Sequence, residues 1–139
     1  SKNIELNYSN LVDPSTRIIA DPEQLKKVID NIVGNSIKYM DKPKGVINIR
    51  ILDEVDSVRV EIEDNGKGIS TKDLGKIFER FYRTDASRNS STGGSGIGLS
   101  IVKKIIEDHG GYIWATSKDG EGTCLHFVIR KYREAEENE

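Results

Sequence analysis

Val46-Ile47-Asn48-Ile49-Arg50-Ile51 and Ser57-Val58-Arg59-Val60-Glu61-Ile62-Glu63 decide the fold. Both alternate apolar and polar side chains, the period-two pattern of a strand with one buried face. The acidic Asp53-Glu54-Val55-Asp56 between them suits a hairpin turn, so the two pair antiparallel. Ahead of them, Asp21-Pro22-Glu23-Gln24 supplies an N-cap acid, a proline at the first helical position and a glutamine three residues after the cap, a capping-box pattern. Leu25, Val28, Ile29, Ile32, Val33 and Ile37 then recur at helical spacing, which predicts a helix to about Met40, where Lys42-Pro43-Lys44-Gly45 breaks it.

Further out, Ile4-Glu5-Leu6-Asn7-Tyr8 and Arg17-Ile18-Ile19-Ala20 read as two short strands around the turn signal Asp13-Pro14-Ser15. Ser70 with Asp73 caps a short helix carrying Leu74, Ile77 and Phe78. Ile97, Leu99, Ile101, Val102, Ile105 and Ile106 make a second strong helical stripe, ended by Gly110-Gly111. Tyr112 to Thr116 and Thr123 to Ile129 are two more strands around the turn from Lys118 to Gly122. From Thr84 to Gly96 the composition is that of a mobile loop, and Lys131 to Glu139 is a charged tail. The fold expected is an α/β two-layer sandwich: a mixed, mostly antiparallel sheet packed on one face by about three helices.

The chain has 139 residues, which predicts one domain over 1–139. Its 21 Lys+Arg against 23 Asp+Glu give a net charge of -2, so no global basic field points to nucleic acid or an anionic membrane surface. No apolar run approaches the roughly 20 residues needed to cross a bilayer. A start without methionine and in mid-pattern suggests a piece of a longer protein. The single cysteine, Cys124, excludes an intramolecular disulfide and fits a reducing compartment.

Polar groups gather at four places. Asn31 and Asn35 stand one helical turn apart, with Lys38 a further turn on and Tyr39 beside it. Carboxamide oxygens are hard donors suited to Mg²⁺, and a nearby lysine suits phosphates; taken alone, the spacing is first that of a solvated helix flank. Asp64-Asn65-Gly66-Lys67-Gly68 puts an acid at a strand end before a glycine turn that admits a flat ligand, or is simply a turn. Gly93-Gly94-Ser95-Gly96-Ile97-Gly98-Leu99 opens a helix, where free N–H groups make an anion cradle, or is a flexible linker. It is neither a dinucleotide fingerprint nor a P-loop. Phe78-Glu79-Arg80-Phe81-Tyr82-Arg83 is a docking edge or phosphate grip, or two phenylalanines packing a core. His109 and His126 read as structural, with no Cys or acidic neighbours at metal-ligand spacing. There is no Gly-x-Ser-x-Gly and no clear triad for nucleophilic catalysis.

In this order, Asn31 to Tyr39, Asp64-x-Gly66-x-Gly68, Phe78-Glu79-Arg80-Phe81 and Gly94-x-Gly96-x-Gly98-Leu99 resemble the N, G1, F and G2 boxes of the catalytic ATP-binding domain of two-component sensor histidine kinases. The resemblance runs from about Asp21 to Phe127 and takes in His109-Gly110-Gly111 and Gly122-Thr123. It implies the Bergerat sandwich shared with gyrase, mismatch-repair and heat-shock chaperone ATPases, and a lid over ATP at about residues 82–96. It implies ATP and Mg²⁺ as cofactors, with Asn35 on the metal, Asn31 in the metal and phosphate network, and Lys38 and Tyr39 beside phosphates and nucleotide. Asp64 would read the adenine amino group with Thr123 beneath the ring, Gly66 and Gly68 would leave room for the base, and Ile69 would join the nucleotide contacts. Gly94, Ser95, Gly96, Ile97, Gly98 and Leu99 would form the hinge and cradle of the lid, and Arg80 and Arg83 would reach the γ-phosphate. Asn31, Lys38 and Arg80 are thereby the implied catalytic set. Ser36 departs from the family's commoner alanine but is small enough to keep the site.

Asn31 discriminates within the superfamily. Hydrolytic relatives and anti-sigma serine kinases resemble one another in a glutamate there, one turn before the metal asparagine, which acts as general base. An amide cannot take that proton, so the nucleophile must arrive competent, as a neutral imidazole does. The implied function is γ-phosphoryl transfer from Mg·ATP to a histidine on a separate helical dimerisation domain, with a response regulator downstream. The segment would be monomeric and cytoplasmic, within a homodimeric parent that could be a membrane sensor. The other readings are a nucleotide-binding regulatory or docking module without transfer, and a Mg-ATPase or serine kinase.

Overall fold

The computed structural model describes residues 3–80, 82 and 98–133. Its first long helix, α1 (Pro22–Lys38), begins where the cap predicts: the Asp21 side chain accepts from the N–H groups of Glu23 and Gln24. The reciprocal half of the capping box is absent, because the Asp21 N–H goes to Nε2 of His109 at 3.0 Å instead. Val28, Ile32 and Ser36, four residues apart, are the buried stripe. The helix stops at Lys38 rather than Met40, since the chain turns at Tyr39 so that Met40 can be buried against the core.

Among the described residues five strands form one sheet in the order β1-β2-β3-β5-β4: β1 (Ile4–Asn10), β2 (Gly45–Asp53), β3 (Ser57–Asp64), β4 (Tyr112–Lys118) and β5 (Gly122–Arg130). β1 and β2 are parallel across the α1 crossover, and every other pair is antiparallel. Arg17 to Ala20 is not a strand. It lies along the end of β5 through a single bridge between Ile18 and Lys131, leaving Ile18 and Ile19 exposed. The short helix α2 (Thr71–Leu74) ends before Ile77 and Phe78, yet both still reach inward, Ile77 buried and Phe78 packed against the core. The second long helix, α3 (Gly98–Asp108), packs beside α1. No helix among the described residues is long and apolar enough to cross a membrane. Phe81, the segment 83–97 and the tail 134–139 lie outside the described residues.

The core is what the alternation dictated: Ile47, Val60, Ile62, Leu125, Phe127 and Ile129 on the helix side of the sheet meet Val28, Ile32, Val102, Ile105 and Ile106. His109 joins the two helices at one end. Its Nδ1–H donates to the Ile105 carbonyl at 2.8 Å, which leaves Nε2 to accept from Asp21. The amino end of α1 is thereby tied to the carboxyl end of α3, and the opposite ends of both helices border the cavity described below.

The other face of the sheet carries a polar ladder. Arg50 reaches Glu61 and Glu63, Glu61 accepts from His126 Nδ1 at 2.8 Å, and His126 Nε2 meets the Thr116 hydroxyl. Trp114 stacks on His126 with ring centroids 4.9 Å apart, and Tyr112 on Trp114. Strand pairing sets Glu61 opposite His126, and with Cys124 two residues before His126 on β5 the three lie together, so this histidine does have cysteine and acidic neighbours. The group is already neutralised within itself. Glu61 is paired by Arg50, with Arg59 also at 3.5 Å. Burial pushes the Glu61 carboxyl up, but the bonds from His126 and Arg50 outweigh it and hold it below the ordinary carboxylate range. Burial, reinforced by Glu61 and Glu63, pushes the Cys124 thiol up to about 12.

Two outcomes follow. His109→Ala removes both ends of the inter-helix bridge and lowers stability by about 1 to 2 kcal/mol, read as a lower melting temperature; an unchanged melting curve would contradict the bridge. Cys124 stays protonated through pH 9, where an unfolded-chain thiol is half ionised, so iodoacetamide labels the folded protein on the order of a thousandfold more slowly than the urea-unfolded chain. Equal labelling rates in the two states would show that the thiol is neither buried nor held protonated.

Candidate functional site

Between α1, the start of α3, and the ends of β3 and β5 lies a cavity of about 300 Å³. That volume is at the lower bound for small-molecule sites. Its floor is built by β3 and β5 running side by side, with Asp64 opposite Thr123. Asp64 Oδ1 accepts the Gly66 N–H at 2.9 Å and the Thr123 N–H at 3.3 Å, which fixes the carboxylate and leaves Oδ2 for other donors. Two glycines permit the close packing here. A Cβ on Gly122, whose φ is 138°, would lie 2.0 Å from the Asp64 carbonyl oxygen, and a Cβ on Gly68, whose φ is 76°, would lie 2.3 Å from the Lys118 carbonyl oxygen. Gly68, expected to leave room for a flat base, lines the cavity and packs its α-carbon against the β4–β5 turn.

The wall is the polar flank of α1. Asn31 Nδ2 donates to the Lys27 carbonyl at 2.9 Å, so the atom it presents outward is Oδ1, and the start of α3 at Gly98 lies close to that oxygen. The Asn35 carboxamide meets no hydrogen-bonding partner among the described residues, and Asp30, which the sequence reading missed, also lines this wall. Two neutral amide oxygens and a carboxylate are hard donors, a set that fits a Mg²⁺ ion keeping several of its waters. Lys38 and Lys67 also line the cavity, their Nζ atoms 5.4 and 5.7 Å from the centre of the Tyr39 ring. Cationic groups and a fixed acceptor therefore line the same cavity.

Of the residues singled out in the sequence, Asn31, Asn35, Lys38, Tyr39, Asp64, Gly68, Ile69, Gly98, Leu99 and Thr123 line this one cavity. Gly66 does not, though its N–H holds Asp64. Arg80 is exposed and does not line it either. Arg83, Gly94, Ser95, Gly96 and Ile97 lie outside the described residues. Sequence reading missed Lys67, Ile77 and Tyr82, which also line the cavity. Lys67 sits inside a motif read for its glycines, and Tyr82 inside one read for its phenylalanines and arginines.

The turn before the floor is braced by residues not singled out. Asn65 Oδ1 accepts from the Val46 N–H at 2.7 Å, and Lys42 Nζ donates to the Gly66 carbonyl at 2.9 Å. Ser117 on β4 accepts the Ile69 N–H at 2.7 Å and lies 3.0 Å from the Thr123 hydroxyl.

Residues 20–133 match the family model described as histidine kinase-, DNA gyrase B-, and HSP90-like ATPase. The chain is 38% identical over 133 residues to the sensor histidine kinase WalK of Bacillus subtilis (strain 168), covering 94% of this chain and 21% of that protein. It therefore spans about a fifth of that relative's length. The mycobacterial sensor histidine kinase MprB has a similar structure, with a TM-score of 0.80 and 28% identity over 92% of this chain and 84% of that one. Full-length ShkA in complex with AMPPNP gives a TM-score of 0.78 at 26% identity, covering 93% of this chain and 26% of that one.

Proposed function

The chain belongs to the family of histidine kinase-, DNA gyrase B- and HSP90-like ATPases, and on that premise we propose that it binds Mg·ATP and donates the γ-phosphoryl group to a histidine on a separate domain of a sensor kinase. One observation carries the reading: a single cavity is lined by a clamped carboxylate at its floor, paired carboxamides on its wall and two lysines beside Tyr39. An acceptor, oxygen donors and cationic groups in one cavity suit a ligand that carries both an amine-bearing base and a polyphosphate.

In this reading Asp64 accepts from the exocyclic amine of adenine, with Thr123 beside it and Ile69 against the base. Lys38 and Lys67 meet the phosphates as point charges, and the N–H groups at the start of α3, at Gly98 and Leu99, add a helix amino end to them. Gly94, Ser95, Gly96 and Ile97 serve the phosphates in the same reading. Asn35, with Asn31 Oδ1, holds Mg²⁺, which when bound neutralises charge on the transferring phosphoryl group. Arg80 and Arg83 serve the γ-phosphate. What this chain contributes to the rate is position and charge, because phosphoryl transfer leaves little covalent chemistry to the protein.

Asn31 separates kinase from hydrolase. Its amide nitrogen is tied to the Lys27 carbonyl and its oxygen is not a base, so nothing at that position activates a water. The acceptor must already be nucleophilic, as neutral imidazole is. That histidine belongs to a helical dimerisation domain of the same parent, whose product then serves a response regulator. This segment acts as a monomeric cytoplasmic unit of a homodimer, and its net charge of -2 gives no reason to invoke nucleic acid.

With γ-labelled Mg·ATP, the helical histidine domain supplied in trans becomes labelled at an acid-labile site, while the chain alone releases phosphate no faster than a buffer blank. Nucleotide binding without any label on the histidine would favour a regulatory module. Steady phosphate release by the chain alone would favour a hydrolase.

A further inference from the structure

Ser117 belongs to no motif of the sequence and takes no part in the chemistry above, yet its hydroxyl is hydrogen-bonded to capacity. It lies on β4 opposite Thr123, which lies on β5 opposite Asp64, so the three residues form one row across the sheet at the cavity floor. Ser117 Oγ donates to the Gly122 carbonyl at 2.9 Å and accepts from the Ile69 N–H at 2.7 Å. It also lies 3.0 Å from Thr123 Oγ1. A hydroxyl has one hydrogen and two lone pairs. The hydrogen of Ser117 is committed to a carbonyl, which only accepts, so in the contact between the two hydroxyls Thr123 is the donor.

The consequence falls on Thr123, which is 8% exposed and lines the cavity. Its one hydrogen points to Ser117, and what remains for a ligand is lone pairs. Beside it, Asp64 accepts on Oδ1 from two main-chain N–H groups and has Oδ2 left, another acceptor. We propose that Ser117 is a positioning residue that locks the Thr123 hydroxyl as an acceptor, so that the floor offers acceptors alone and selects purines bearing an amino group at the 6-position.

This rests on the nucleotide reading above and adds how the base is chosen. A 6-amino group brings two N–H donors to that floor, whereas a 6-oxo group brings lone pairs against lone pairs. A water bridging Asp64 and Thr123 preserves the sense, because it gives its hydrogens to the two acceptors and turns a lone pair toward the base. Sites built to hydrogen-bond one substrate group reject analogues lacking it because the buried partners are left unmatched. Freed from Ser117, the threonine hydroxyl can rotate its hydrogen into the cavity and satisfy a 6-oxo group.

The test compares the dissociation constants of ATP and of inosine triphosphate, which differ at the 6-position and in the hydrogen that the 6-oxo ring carries on N1, for the intact 139-residue chain and its variants. The ratio is independent of any loss of folded fraction. In Ser117→Ala the preference for ATP falls by about tenfold, the scale of one hydrogen bond, chiefly by tighter binding of the 6-oxo nucleotide. Ser117→Thr, which keeps the hydroxyl, retains the preference, and in a Thr123→Val background Ser117→Ala changes the ratio no further. Wild-type binding of ATP with a ratio unmoved by Ser117→Ala would overturn the role of Ser117 and leave the nucleotide reading standing. Failure of the wild type to bind either nucleotide would overturn both.

Discussion

The close approach of β3 and β5 at Asp64 and Thr123 is the constraint on which the cavity depends. Asp64 sits where the strand ends, and two main-chain N–H groups, from Gly66 and Thr123, converge on one of its oxygens. Main chain can come this near only because Gly122 has no side chain to strike the Asp64 carbonyl. The carboxylate is thus rigid before any ligand arrives, and preorganised acceptors add to affinity because little ordering remains to be done on binding. Burial of Ile62 and Leu125 just behind this point fixes the floor to the core, so sheet packing and ligand geometry are set together.

The wall is fixed from the far end. His109 ties the start of α1 to the end of α3, and because α1 and α3 share the core through Val28, Ile32, Val102 and Ile106, their other ends are held at the cavity. Asn31, Asn35 and Lys38 follow from α1, and Gly98 and Leu99 from α3. A histidine outside the cavity lining therefore shapes it through helix placement. Across the sheet, the Arg50, Glu61 and His126 ladder shields the reverse of the same central strands, with the protonated Cys124 thiol beside it.

Much of this was legible in the sequence, and the gaps share a cause. α1 was readable because Asp21, Pro22 and the apolar stripe all report on local structure, and β2 and β3 because their alternation is strict. The N-box and G1 residues were readable because their spacing carries the chemistry. Ser117 was not, since its meaning comes from the pairing of β4 with β5 and from Ile69 more than forty positions earlier. Glu61 joins Cys124 and His126 only through the pairing of β3 with β5, which spacing along the chain does not show, whereas Cys124 two residues before His126 was open to reading in the sequence. The missing half of the capping box was a competition, in which His109 took the Asp21 N–H that local pattern assigned to Gln24. Arg17 to Ala20 had the composition of a strand but only one bridge to pair with.

The central claim is that one cavity has an acceptor floor for the base and an oxygen-donor wall for metal and phosphate, and a calorimetric titration with ADP and a non-hydrolysable ATP analogue tests it most directly. It is done with and without Mg²⁺, on the wild type beside Asp64→Asn and Asn35→Ala. The two contributions should separate: Asp64→Asn weakens both nucleotides whether or not Mg²⁺ is present, while Asn35→Ala leaves metal-free binding nearly unchanged and removes the gain that Mg²⁺ brings. Wild-type binding indifferent to both substitutions would place the nucleotide elsewhere and contradict the claim.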